Sequence, residues 1–502
     1  MSASPSAPTR ITHLVGHRGW QGEPGRTSEV CNPATGEVTG TLDLASAETV
    51  GEVVAVAREA AREWGRASLA RRVRALFAFR QLLVEHTDEI ARAITAEHGK
   101  THDDAVAEIG RGLEVVEFAC GIPQLLKGGF SEGVSTDVDA YSLLQPLGVV
   151  GVISPFNFPA MVPLWFVPIA VATGNTVVIK PSEKDPTAVN LIAGLWREAG
   201  VPDGVVNVVH GDKEAVDALL DHPDVKAISF VGSTPVARHV YERGVAAGKR
   251  VQALGGAKNH MLVLPDADLD LAADAAVSAG YGAAGERCMA ISVVLATESI
   301  ADELVARIVE RTRTLRVGDG TGEVDMGPLV TRAHLDKVTG YVEAGVEAGA
   351  ELVVDGREGA EALGPGYFLG PTLFDRVTPQ MSVYTDEIFG PVLSVVRVAS
   401  FDEGLQLIND NPYGNGTAIF THDGGAARRF QHEVEVGMVG INVPIPTPMA
   451  YYSFGGWKSS LFGDTHAHGI EGVHFFTRTK AVTQRWPDRS HGGLDLGFPT
   501  NE

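Results

Sequence analysis

Short runs of β-branched and apolar residues, GVVGVISPF, NTVVIKPS, VVNVVHG, AISFVGS and RVQALGG, recur between residues 148 and 256, and helical patterns such as PTAVNLIAGLWREAG and TPVARHVYERGVAAG separate them. Strands that alternate with helices are predicted to run parallel, because a parallel pair needs a long crossover and a helix supplies it. Such strands are covered on both faces and read as continuous apolar runs. The pattern predicts a doubly wound α/β domain. A second cycle begins near Asn259 with HMLVLP, AVSAGYGAAG, SVVLA and ADELVARIVERTRTL, continues with PVLSVVRV, FDEGLQLIND and TAIFT, and predicts a second α/β domain.

The flanking segments read differently. Residues 1–20 read as a loose tail. SEVCNPATGEVTGTL predicts two strands around a Pro/Gly turn. Ser46 to Gly121 carries apolar residues at three and four spacing and predicts helices. STDVDAYSLLQPLG reads as an extended excursion, and the final run GVHFFTRTKAVTQRW as a strand that could pair with another subunit.

The chain has 502 residues and a formal net charge of −22. Phosphate binding wants a basic surface, so nucleic acid is not expected as a partner. Three scattered cysteines, Cys31, Cys120 and Cys288, make a poor disulfide framework and suit a reducing cytosol, so a cytoplasmic location is expected. The longest apolar stretch, AMVPLWFVPIAVATGN, contains prolines and is too short to span a bilayer; it predicts a buried helix start, with no membrane partner.

Three places carry chemistry. In YGAAGERCMA, Cys288 follows a run of Gly and Ala and stands beside Arg287. A nearby cation favours a thiolate, which is the nucleophilic form. AISFVGS ends at Gly232 and Ser233, Thr234 suits an N-cap, Pro235 suits the first turn, and Gly232 would let a ligand approach the backbone. A helix N-terminus at a strand's carboxyl end suits a pyrophosphate, although no G-x-G-x-x-G is present. In VVIKPSE, Lys180 and Glu183 lie together at a strand end, where they suit the two hydroxyls of an adenosine ribose; the carboxylate favours NAD over NADP. A solvated ion pair is the alternative.

SPFNFP, IKPSE, FVGST, GERC and DEIFGPVL, in this order and separation, resemble the aldehyde dehydrogenase superfamily over essentially the whole chain. The resemblance implies an α/β fold with a variant Rossmann cofactor domain (21–127 and 148–255), a second α/β catalytic domain (256–450) and a β oligomerisation arm (128–147 and 470–502) that builds a homodimer or homotetramer. It implies that Cys288 is the nucleophile, forming a thiohemiacetal whose hydride passes to NAD. Asn157 and the Cys288 backbone N–H would stabilise the alkoxide. Phe156, Lys180, Glu183, Ser233, Glu387 and Phe389 would contact the cofactor.

Hydrolytic members of the family carry a glutamate in an ELGGK-like segment. Here VQALGGAKNH places Leu254 at that position. Water needs a base, whereas a thiol forms its own nucleophilic anion readily. The substitution therefore points to coenzyme A as the acceptor. The alternatives are a hydrolytic enzyme with another base and a catalytically silent relative. ALGGAKNH, GERCMA, EIGRGLEVVEFA, INVPIPTPMAYYSF and GGWKSSLFGD resemble the CoA-acylating branch of the family, which acts on malonate- and methylmalonate-semialdehyde. That resemblance implies that Arg111 and Arg287 hold a substrate carboxylate, as planar guanidinium forks do; for Arg111 the alternative is a helix-surface ion pair with Glu108 or Glu114. Cys31 and Cys120 read as structural. His466 and His468, lacking further ligands, do not make a metal site, and no metal is expected.

Overall fold

The computed structural model describes residues 8–16, 18–20, 22 and 25–486. Between Ser46 and Gly121 it contains four helices: α1 (Ala47–Trp64), α2 (Leu69–Glu85), α3 (Thr87–His98) and α4 (His102–Cys120). The hydroxyls of Ser46, Ser68 and Thr101 accept hydrogen bonds from Thr49, Arg71 and Asp104 N–H and so cap α1, α2 and α4. Asp103 and Asp104 stand in the first turn of α4, where negative charge complements the helix dipole.

A further helix, α5 (Met161–Ala172), is buried along its whole length. It shows no polar face because neighbours cover every side. Glu108 of α4 accepts from Ala160 N–H (2.8 Å) and Met161 N–H (3.0 Å), satisfying the start of a helix that has no side-chain cap of its own.

Two sheets carry the fold. The first has eight strands. Its centre is parallel, in the order Arg250–Leu254, Val225–Val231, Val149–Ile153, Thr176–Lys180 and Val206–Val208. The second has seven strands, in the order Glu351–Val354, Thr372–Asp375, Val392–Val398, Ile291–Thr297, Asn259–Val263, Gly416–Phe420 and Met438–Ile441. Only its Glu351–Val354 edge is antiparallel. Each sheet has its own apolar core, one around α5 and the other around the strands from Met261 onward.

Two expectations are corrected. The segment read as a loose tail contains strands: Thr9–Ile11 pairs with Gly40–Leu42, and Leu14 pairs with Val208 at the edge of the first sheet. Apolar Ile11 and Leu14 were too few to show a period, but a waiting sheet edge supplies the backbone partners. The final run is a strand only from Thr477 to Arg485, because its first residues belong to the helix Gly469–Phe475; Thr477–Arg485 pairs over its whole length with Val138–Pro146 of the same chain, and Phe130–Ser135 completes a three-stranded sheet. The arm's expected extension beyond residue 486, like residues 1–7, lies outside the described residues.

The carboxyl ends of the first sheet converge. Val149–Ile153 leads to Asn157, Thr176–Lys180 ends in Lys180, Val225–Val231 leads to Ser233, and Arg250–Leu254 leads to Gly256. In an open α/β sheet this is where ligands bind.

Candidate active site

The nucleophile candidate is presented by an unusual turn. Ala283, Ala284 and Gly285 have φ of 51°, 53° and 72°, three successive left-handed residues. Such a conformation is costly for a residue with a Cβ and least so for small ones. A Cβ on Gly285 would collide with the carbonyl of Gly390. The small residues before Cys288 thus serve this turn and its close approach to the DEIFGP loop. Downstream, the Cys288 carbonyl accepts from Asn259 Nδ2 (2.9 Å) and Asn415 Nδ2 (3.1 Å), which anchors the cysteine between two strands of the second sheet.

Cys288 forms part of the wall of three cavities, two of them of substantial volume. One, of about 670 Å³, is also lined by Phe156, Asn157, Lys180, Glu183, Ser233, Glu387 and Phe389. All the residues expected at the cofactor and both expected catalytic residues therefore meet in one cleft. Lys180 Nζ donates to the carbonyl of Gly211 (2.7 Å) and lies 3.5 Å from Glu183. The helix Thr234–Ala246 starts one residue earlier than expected. Ser233 is its N-cap and makes no side-chain cap bond, while the Thr234 hydroxyl accepts from Gly256 N–H (2.9 Å). Gly232 is required by packing, since a Cβ there would lie 2.5 Å from the Phe230 ring. Glu387 Oε1 accepts from Ala257 N–H (2.8 Å), and a Cβ on Gly256 would strike the other carboxylate oxygen. Phe389 is itself left-handed (φ 62°), and its ring meets Phe156 edge-on at 5.9 Å.

The second cavity, of about 230 Å³, is lined by Cys288, Arg111 and Arg287 together with Lys100, Asp104 and Glu108. Both arginines expected to hold a carboxylate therefore flank the sulfur, and both already have acidic partners. Arg111 Nη1 donates to Glu114 (2.8 Å), and its Nη2 donates to the carbonyl of Pro448 (3.1 Å), so the ion pair weighed as an alternative exists alongside the cavity position. Arg287 Nη2 donates to Asp104 Oδ1.

Asn157 is buried, and its Nδ2 donates to the Glu286 carbonyl (3.0 Å). A carboxamide carries two N–H donors, so one remains for an alkoxide. Leu254 is buried in the apolar core beside its strand partner Val231, and no proton acceptor stands at its position.

The arginine beside Cys288 does not make it a thiolate. Cys288 keeps some solvent contact through the cavities, yet its surroundings desolvate the sulfur. Burial pushes the thiol up to about 12, the charge of Glu387 adds to the rise, and Arg287 offsets it least. Alkylation of Cys288 by iodoacetamide, followed site by site by mass spectrometry, is therefore expected to accelerate about tenfold per pH unit between about pH 7 and pH 10. A plateau near pH 8 would contradict this.

Several site residues escaped the sequence reading. Lys100, 1% exposed, donates to Glu108 (2.8 Å) and to the Asn157 carbonyl (2.6 Å), fixing the loop that carries the oxyanion candidate. Nothing in the sequence marked Lys100. Asp104, Glu108 and Arg111 did share a helical spacing of four and three. Glu286 stands in the quoted GERC motif. Its Oε1 accepts from Val330 N–H (3.3 Å), while Oε2 and His98 Nε2, 3.8 Å apart, have no hydrogen-bond partner among the described residues. Burial pushes Glu286 up to about 8, so it is largely a neutral acid at pH 7.

Comparison with known proteins gives a consistent result. The profile of the aldehyde dehydrogenase family matches residues 20–482. A malonate-semialdehyde dehydrogenase of Pseudomonas aeruginosa is 57% identical over 481 residues, 95% of this chain and 97% of that one. A malonate-semialdehyde dehydrogenase of Geobacillus thermodenitrificans is 49% identical, over 95% of this chain and 99% of its own. A methylmalonate-semialdehyde dehydrogenase of Oceanimonas doudoroffii superposes with a TM-score of 0.94 at 52% identity, covering 96% of this chain and 99% of its own. A Sinorhizobium meliloti structure complexed with NAD gives a TM-score of 0.95 at 50% identity, covering 97% of this chain and 100% of its own.

Proposed function

The chain belongs to the aldehyde dehydrogenase family, and we propose that it oxidises malonate or methylmalonate semialdehyde with NAD, losing carbon dioxide and passing the remaining acyl group to coenzyme A. The observation that carries this reading is the position of Cys288, shared by a dinucleotide-sized cleft and a small chamber holding two arginines.

The cleft fits NAD. Ser233, at a helix N-terminus, has a side chain free of capping duty, and Lys180 and Glu183 line the same space. Bound there, NAD supplies the hydride acceptor. Cys288 Sγ gives its proton to solvent in the cleft and adds as the thiolate to the aldehyde carbon, and the second N–H of Asn157 with the Cys288 backbone N–H stabilises the alkoxide; such a donor is worth about 10²–10³ in rate. Arg111 and Arg287 orient the substrate carboxylate in the smaller chamber. After oxidation, the thioacyl group of a malonate-type substrate is a β-carboxy thioester. Its decarboxylation leaves an enolate, which the same two donors stabilise. Leu254 offers water no base, and this supports a thiol acceptor. The products are acetyl-CoA from malonate semialdehyde and propionyl-CoA from methylmalonate semialdehyde. The solvent-facing side chains of the arm, with Phe130 65% exposed, support assembly into a homodimer or homotetramer.

The test is turnover of both semialdehydes and of propanal with NAD and coenzyme A, with acyl products identified by mass spectrometry. Arg287→Ala is expected to lower kcat/KM for the semialdehydes about ten- to hundredfold, the cost of one charge-assisted contact. Propanal, which has no carboxylate, should change little. Malonyl-CoA as the main product of the native enzyme would refute decarboxylation, and equal losses on propanal would refute the clamp.

A further inference from the structure

We propose that Asp104 is a specificity-determining residue: a resident carboxylate that shares Arg287 with the carboxylate of the substrate and keeps the clamp loose enough for carbon dioxide to leave. The inference rests on the reaction proposed above and concerns the same chamber.

Helix α4 lines the chamber with Asp104, Glu108 and Arg111 on one face. Each cation in the wall has an acid of its own: Lys100 has Glu108, Arg111 has Glu114 and Arg287 has Asp104. Two of these acids are committed elsewhere or lie outside the lining. Glu108 also caps α5 through Ala160 and Met161 N–H, and Glu114 does not line the chamber. Asp104 does line it, and it alone engages the arginine next to the nucleophile.

The pair is built in rather than incidental. Arg287 and Asp104 are each 23% exposed, so both are held in the wall yet open to the chamber. The guanidinium also lies against Gly282, where a Cβ would collide with Nη1. Arg287 is thus seated between Gly282 and Asp104 before any substrate arrives. Its fork has five N–H donors, and Asp104 occupies only Nη2. A substrate carboxylate must share the remaining donors with a like charge nearby, which weakens its binding.

That weakening suits the chemistry. In the decarboxylation step the bond between the α-carbon and the carboxylate carbon breaks. Its electron pair enters the thioester as an enolate, carbon dioxide departs, and a solvent proton then completes the acyl group. Negative charge moves from the carboxylate to the enolate oxygen at Asn157 and Cys288 N–H. A guanidinium that stabilises the starting carboxylate fully would oppose this movement. By partly neutralising Arg287, Asp104 lets the arginine position the group without holding its charge.

The experiment compares native enzyme, Asp104→Asn and Asp104→Ser, with Asp103→Asn as a control at an exposed position of the same helical turn. Asp104→Asn and Asp104→Ser are expected to lower KM for malonate semialdehyde about tenfold and to lower kcat by a similar factor, the scale of one charge-assisted contact. They should also release malonyl-CoA beside acetyl-CoA, while propanal kinetics stay within about twofold. Asp103→Asn should match the native enzyme. Unchanged KM and product ratio in both Asp104 variants would overturn the proposal. So would equal changes on propanal, or a Tm loss above about 5 °C in both, which would make the contact structural. Failure of the native enzyme to form acetyl-CoA from malonate semialdehyde would remove the parent reading and this one together; success there with silent variants would remove this one alone.

Discussion

Cys288→Ala is expected to lower NADH formation by about 10⁴-fold or more, the scale seen when a covalent nucleophile is removed. Dinucleotide binding should survive, because Lys180, Glu183, Ser233 and Glu387 line the cleft independently of the sulfur. The two other cysteines provide the contrast. Cys31 lies in the strand Arg26–Cys31 and Cys120 ends α4, and neither lines the cleft or the chamber. Cys31→Ala and Cys120→Ala should keep most of the native rate. Steady-state NADH production measured by absorbance, with NAD affinity measured by fluorescence titration, separates the two effects. Turnover above a trace in Cys288→Ala would sink the covalent mechanism.

Without coenzyme A, the native enzyme is expected to release about one NADH per active site and then slow by about 10²-fold or more, the contribution of a missing general base. The cause is Leu254. Its side chain is 3% exposed and packs into the core, and its carbonyl accepts from Gly232 N–H (3.1 Å), so the segment is held by backbone pairing with no acid in reach of water there. Two carboxyl groups of the site each accept one backbone N–H. Glu387 accepts from Ala257 N–H, and Glu286 accepts from Val330 N–H and is pushed toward its neutral form by burial. Rapid-mixing measurement of the NADH burst, followed by addition of coenzyme A, tests this. A steady rate without coenzyme A would show that another base has replaced the glutamate.

The two predictions depend on different kinds of information. That a cysteine in GERCMA and an asparagine in PFNFP line one cleft was legible in the chain, because both motifs are local and their resemblance to a family places them together. The paired sheets were legible for the same reason: a parallel strand buried on both faces must be a short apolar run, as in VVIK and VVGVI. The N-terminal strands were not, because Thr9–Ile11 and Leu14–Val15 are too short to carry a period and are ordered by sheet edges that other parts of the chain provide.

The charge state of the site belonged to tertiary structure alone. Arg287 beside Cys288 in sequence suggested a thiolate, but in the fold its guanidinium turns to Asp104, 183 positions away, while desolvation governs the sulfur. Likewise Lys100 reaches the carbonyl of Asn157 across 57 positions. Local residue types determined which groups of this protein can react, since nucleophile, amide and guanidinium are properties of side chains. Which of them are paired, buried or left open was decided by packing, because desolvation and ion pairing act through space over a few ångströms and take no account of distance along the chain.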